Sequence, residues 1–112
     1  MILHNDAVDA ILRRRSIRSY QAKQISEDAL ETILTAGQYA PSGMNQQSAK
    51  AIVVQSKERM QQLVQLAKAA EQVDHNPFYD APTVILVFAD ATQLAPLEDG
   101  CNVLENMMLA AH

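Results

Sequence analysis

The chain has 112 residues, 48% of them hydrophobic and 20% charged, with 9 Lys and Arg against 13 Asp and Glu and a formal net charge of −4. These fractions exclude a disordered chain. The acidic balance argues against nucleic acid or an anionic membrane as the main partner, because phosphate surfaces select for excess Lys and Arg.

The length fits one domain over residues 1–112, able to bury roughly two thirds of its unfolded surface. The single cysteine, Cys101, allows no internal disulfide, which fits a reducing compartment. The start, Met1-Ile2-Leu3-His4-Asn5-Asp6, lacks the basic and apolar regions of a signal peptide, and no apolar run reaches the length of a membrane span. A soluble cytoplasmic protein is the expectation.

The first predicted element is a short amphipathic helix over about 5 to 14, with Val8, Ile11 and Leu12 on one side. Asn5 is placed to cap it, and Asp6 and Asp9 complement its dipole. A second helix is predicted over 26 to 39. Ser26 stands at its N-cap, and Leu30, Ile33, Leu34 and Gly37 follow the i, i+3, i+4, i+7 pattern. It must stop before Pro41. The polar, turn-forming stretch 41–48 follows, then a short β-branched strand at Ala51-Ile52-Val53-Val54. Ser56 opens a third helix over 57 to 73, with Met60, Leu63, Val64, Ala67 and Ala70 inward.

The second strand, 83–89, is apolar on both faces, which predicts a place in the middle of a covered sheet. The last helix starts near Pro96, a residue suited to a first helical turn. It carries two apolar stripes: Leu97, Cys101, Leu104, Met108 and Ala111, and beside them Val103, Met107 and Ala110. A helix apolar over so much of its circumference is expected deep in a core or against a partner. Cys101, among apolar neighbours, reads as a small core residue rather than a nucleophile. Two strands make a poor sheet, and no Gly, Asn or Pro ends the last helix. Both features predict a fragment or truncated product, the alternative being a C-terminal helix that frays at His112.

Two segments can carry chemistry. Arg13-Arg14-Arg15-Ser16-Ile17-Arg18 concentrates 4 cations in an acidic chain. An anion between the guanidinium groups would relieve their repulsion, and Arg and Ser donors suit a phosphate. The plainer reading is a solvated helix end whose arginines face the C-terminal dipole. Pro41-Ser42-Gly43-Met44-Asn45-Gln46-Gln47 offers backbone and side-chain amides that both donate and accept, suited to a heteroaromatic ring. The plainer reading there is a helix-to-strand connector. No dinucleotide or P-loop fingerprint occurs. His4, His75 and His112 lack metal-ligand spacing, His4 and His75 reading as surface or cap residues, and no zinc set or Ser-His-Asp arrangement can be assigned.

In order and spacing, Arg14 to Tyr20, Ala40 to Gln47, Phe78-Tyr79-Asp80-Ala81-Pro82 and Glu105 to Ala111 resemble the N-terminal part of the FMN-dependent nitroreductase family. The resemblance implies an α+β fold with helices around a mainly antiparallel sheet. It implies a homodimer with two FMN sites at the subunit interface, and ping-pong hydride transfer from NADH or NADPH to nitroaromatic or quinone-like small-molecule acceptors. The flavin carries the redox chemistry, so no acid–base residue of the chain is required.

By the same resemblance, Arg14, Arg15, Ser16 and Arg18 hold the FMN phosphate, ribityl chain and pyrimidine edge, with Arg14 and Ser16 at the phosphate and Arg18 at the ring. Pro41, Ser42, Gly43, Asn45 and Gln47 match the loop that reaches the flavin from the other subunit. Family members run well past this length, with further strands, a Gly-rich loop and further basic residues near the flavin. The resemblance therefore leaves a second possibility: an inactive truncated fragment or an oligomerising module.

Overall fold

The computed structural model describes residues 1–112. Four helices, α1 (Asp6–Arg13), α2 (Glu27–Gln38), α3 (Lys57–Glu71) and α4 (Pro96–Ala111), alternate with strands β1 (Ala49–Val54) and β2 (Val84–Ala89), and a 3₁₀ turn spans Gly43–Asn45. The chain forms two compact units. The first comprises Met1–Ser16, Glu27–Lys50 and Val87–His112; the second comprises Ile17–Ser26 and Ala51–Leu86.

In the first unit, α2 and α4 form the core. The helical spacing of Leu30, Ile33, Leu34 and Gly37 makes this face of α2 half-buried or buried, as its periodicity predicts. Gly37 permits a close approach: a Cβ there would lie 2.9 Å from Met107 Cγ and 3.3 Å from Val103 Cγ1. Met107 is the one buried hydrophobic side chain, at 5% exposure. Asn106 adds a polar tie, its Nδ2 donating to the Ala36 carbonyl at 3.0 Å. Helix α1 is set by its N-cap, where Asn5 Oδ1 accepts from the Val8 amide at 2.9 Å.

In the second unit, Ser56 Oγ accepts from the Arg59 amide at 3.2 Å and starts α3, as read from sequence. Of the residues predicted inward on α3, Met60, Leu63, Val64 and Ala67 are half-buried and Ala70 is exposed. The helix stops when Gln72 turns left-handed at φ 56°. The extended segment before α2 is tied down by a relay of side chains. Gln55 Nε2 donates to Thr83 Oγ1 at 3.0 Å. The Thr83 hydroxyl donates to Gln24 Oε1, and Gln24 Nε2 donates to the Pro82 carbonyl at 2.9 Å.

The strands pair β1 to β2 in a two-stranded sheet. Their register is antiparallel: the Asp90 amide donates to the Ser48 carbonyl at one end, and Gln55 meets Thr83 at the other. The sheet corrects one expectation. β2 does not lie in the middle of a covered sheet; it has one neighbour, and Phe88 is 56% exposed. Apolar residues on both faces specify a strand that needs cover, but they do not supply it.

The same physics corrects three further readings. The accessible surface is 8573 Å², so about half of the extended-chain surface is buried rather than two thirds. Only the second α4 stripe packs inward, through Val103 and Met107; the first is open, with Leu97 at 75% exposure and Leu104 and Met108 exposed. Cys101, on that open stripe, is exposed and not a core residue. No helix is long and apolar enough to cross a membrane.

Candidate functional site

The basic segment begins where α1 ends. Arg14 leaves the helix at ψ 139° while its amide still donates to the Ala10 carbonyl. Arg15 folds back over the helix end, its Nη1 donating to the Leu12 carbonyl at 2.9 Å and the Arg14 carbonyl at 2.8 Å. This is the plainer role foreseen for such a run, a cation satisfying the last carbonyls of a helix. A guanidinium has five donors, so the Nε and Nη2 donors of Arg15 stay available. Arg14 is half-buried, its Nε 3.9 Å from Glu105 Oε1 on α4. Ser16 is exposed. Arg18 belongs to the second unit and is also exposed, on the segment secured by Gln24.

The 41–48 loop is an irregular backbone held at many points. Met44, Asn45 and Gln47 adopt φ of 53°, 54° and 51°. Asn tolerates this left-handed region, but Met and Gln do so only where the surroundings impose it. The Asn45 and Gln46 amides donate to the Ser42 and Gly43 carbonyls, each at 3.1 Å. Ser42 Oγ accepts from the Gln47 amide at 3.0 Å. Gln46 Oε1 accepts from the Leu94 amide at 2.9 Å, and Asn102 Nδ2 donates to the Pro41 carbonyl at 3.3 Å. With the backbone fixed, the Met44, Asn45 and Gln47 side chains remain exposed, Met44 at 82%. A rigid backbone presenting exposed polar groups is the form of a binding loop.

The residue that sequence reasoning missed is Asp99. It lies in the first turn of α4 and is 2% exposed. Its Oδ1 accepts from the Gly43 amide at 2.9 Å, and its Oδ2 from the Ser48 hydroxyl at 2.8 Å. An acid three residues after Pro96 reads in sequence as an ordinary dipole complement; nothing local marks it as the anchor of a loop more than fifty positions earlier. The i, i+3, i+7 spacing of Asp99, Asn102 and Asn106 was the available signal, a polar row beside the apolar stripes.

Pro41, Ser42, Asn45 and Gln47 line a cleft of about 640 Å³, together with the end of α2 and with Asp99 and Val103 of α4. Of the loop residues expected at the site, these four share the cleft, while Gly43 does not line it and its amide is held by Asp99. Arg14, Arg15 and Ser16 do not line this cleft. The donor set of the basic segment suits a phosphate. The exposed side-chain amides of Asn45 and Gln47 offer donors and acceptors suited to a flat ring, whereas the backbone amides of Gly43, Asn45, Gln46 and Gln47 are already engaged within the molecule.

Comparison with known proteins bears on this arrangement. Residues 11–112 match the Nitroreductase family. The chain belongs to the nitroreductase family. A nitroreductase from Bacteroides fragilis with bound FMN superimposes with a TM-score of 0.89 at 32% identity, covering 96% of this chain and 65% of that one. A nitroreductase with bound FMN from Desulfitobacterium hafniense gives a TM-score of 0.81 at 33% identity, covering 97% and 65%. In sequence, a Methanothermobacter thermautotrophicus protein with the provisional name NADH dehydrogenase/NAD(P)H nitroreductase is 31% identical over 96% of this chain and 56% of its own length. The chain therefore spans about half the length of that curated relative. Its fold is the α+β nitroreductase fold, with the antiparallel pairing expected from the resemblance.

Proposed function

We propose that this nitroreductase chain contributes to an FMN site of an NAD(P)H-dependent oxidoreductase. The observation that carries the reading is the 41–48 loop, strained and anchored in its backbone and open in its side chains, in a chain similar to FMN-bound nitroreductases. Arg14 and Ser16 would hold the phosphate, with the free donors of Arg15 beside them, and Arg18 the ring edge. Pro41, Ser42, Gly43, Asn45 and Gln47 would meet the isoalloxazine ring. FMN, when bound, supplies two-electron chemistry, with hydride received from NADH or NADPH and passed to a nitroaromatic or quinone-like acceptor in a ping-pong cycle. The chain's own residues bind and orient; none has to move a proton.

Arg14, Arg15 and Ser16 do not line the loop cleft in one copy, which supports a site completed by a second copy. The open stripe of α4, with Leu97, Leu104 and Met108 exposed, supports the same homodimer. A cytoplasmic location accords with the single free cysteine.

The test is a titration of the full chain with FMN, followed by absorbance and fluorescence, and then an NAD(P)H oxidation assay. Saturable binding is expected, and Arg14→Ala should weaken it roughly tenfold or more without unfolding, since a hydrogen bond to a charged group contributes about 1.5–3 kcal/mol. A folded Arg14→Ala chain with unchanged affinity overturns the phosphate assignment. The open α4 stripe also favours a second reading, a module that self-associates without flavin. Association in sedimentation experiments together with no FMN binding would select it.

A further inference from the structure

We propose that Asp99 is the positioning residue of the 41–48 loop, setting the ring-side half of the flavin site while touching no ligand itself; the inference rests on the flavin reading of that loop. Asp99 is the one buried acid, and its two oxygens are spent on two loop donors, the Gly43 amide and the Ser48 hydroxyl. A carboxylate is costly to bury and is retained where its acceptors are used. Helix-dipole complementation does not require that burial, because the neighbouring Glu98 supplies an exposed acid in the same turn.

The two bonds clamp the ends of the segment that holds the three left-handed residues. Met44, Asn45 and Gln47 all lie between Gly43 and Ser48, so their unfavourable backbone is closed at both ends by one side chain. Glycine at 43 belongs to the same device. A Cβ there would stand 3.2 Å from Ala95 Cβ, so its absence lets the loop backbone settle on the start of α4 and deliver its amide to Asp99.

The consequence separates the two halves of the site. Losing Asp99 should misplace the exposed Asn45 and Gln47 side chains while leaving the Arg14 and Ser16 donors where they are. The test compares FMN with riboflavin, which lacks the phosphate, in full-length wild type, Asp99→Leu and Ser48→Ala, each checked for folding by circular dichroism. Asp99→Leu removes both acceptors and should weaken both flavins by the same factor, about tenfold or more. Ser48→Ala keeps the carboxylate and frees one oxygen; it should weaken both by about threefold. Arg14→Ala, by contrast, should weaken FMN alone.

Hydrogen exchange at the Gly43 amide gives a readout without flavin: protection should fall in Asp99→Leu and persist in Asp99→Asn, whose remaining carbonyl still accepts. A folded Asp99→Leu that binds both flavins as wild type does, or loses FMN alone, overturns the proposal. Should Asp99→Leu not fold, Ser48→Ala decides through the flavin ratio, with unchanged affinity for both overturning it. A wild type that binds neither flavin overturns the flavin reading instead, and Gly43 exchange in Asp99→Asn and Asp99→Ala then judges the loop assignment alone, equal protection in both overturning it.

Discussion

Arg14 and Glu105 face each other across α1 and α4, with Nε 3.9 Å from Oε1 and both side chains partly open to solvent. An ion pair of this exposure contributes only about 0–1 kcal/mol. Its effect on a bound phosphate should exceed its effect on the fold, because the carboxylate stands beside the cation proposed to hold that phosphate. Glu105→Gln is therefore expected to tighten FMN binding by roughly two- to fivefold at low salt, with the gain shrinking as salt screens the charge. Thermal stability should change little. Titration of FMN at two ionic strengths checks it; weaker binding by Glu105→Gln would show instead that Glu105 serves the site by orienting Arg14.

Gly37 and Met107 fix how closely α2 and α4 approach. A Cβ at residue 37 would meet Met107 Cγ at 2.9 Å and Sδ at 3.1 Å. Gly37→Ala gains about 1 kcal/mol in helix propensity, while overpacking a filled contact costs about 1–3 kcal/mol. Met107 is buried, so its side chain has little room to yield, and the overpacking should win by about 1 kcal/mol. In a Met107→Ala background the same change has space and should become neutral or stabilising. Urea denaturation of the four chains measures the sign reversal.

Much of this packing was legible in the chain. Gly37 falls on the periodic stripe of α2, Asn5 and Ser56 announce their helices, and Pro96 begins α4 as expected. Local signals of this kind are set by the residues themselves. Asp99 was not legible, because its role depends on a contact with Gly43 that only the tertiary fold creates. Phe88 and Cys101 failed in the opposite direction. Their sequence environments call for cover, but cover is supplied by neighbours, and one copy leaves both exposed. Around the loop, Pro41, Ser42, Asn45 and Gln47 share one cleft that Gly43 does not line, whereas Arg15 joins its own helix end and leaves only part of its donor set open.

Asp90 organises the turn that leads from β2 towards α4. Its Oδ1 accepts from the Thr92 hydroxyl at 2.7 Å and the Thr92 amide at 2.9 Å, and Gln93 Nε2 reaches Oδ2 at 3.4 Å. The Thr92 hydroxyl, then its amide, then Gln93 hold this carboxyl below its usual range. A carboxyl lowered on folding stabilises the fold at pH above its unfolded pKa, and that contribution disappears as pH falls through the lowered folded value. Asp90→Asn keeps the carbonyl acceptor and removes the charge. Wild type should exceed it in stability at neutral pH, with the gap closing only below the ordinary carboxylate range. Urea midpoints across a pH series measure the gap; a difference independent of pH would refute the charge as its source.

The open stripe of α4 sets the last expectation. Leu97, Leu104 and Met108 are exposed on a helix whose other face packs on α2 through Val103 and Met107. Charging the open face leaves that inner packing intact, whereas it would place like charges opposite one another in a symmetric contact. Leu104→Glu with Met108→Glu should therefore leave helix content near wild type while shifting sedimentation to the monomer. If the flavin site needs both copies, FMN binding should fall with it, although neither substitution touches Arg14, Ser16 or the 41–48 loop. A monomeric double variant that binds FMN as wild type does would place the whole site within one chain.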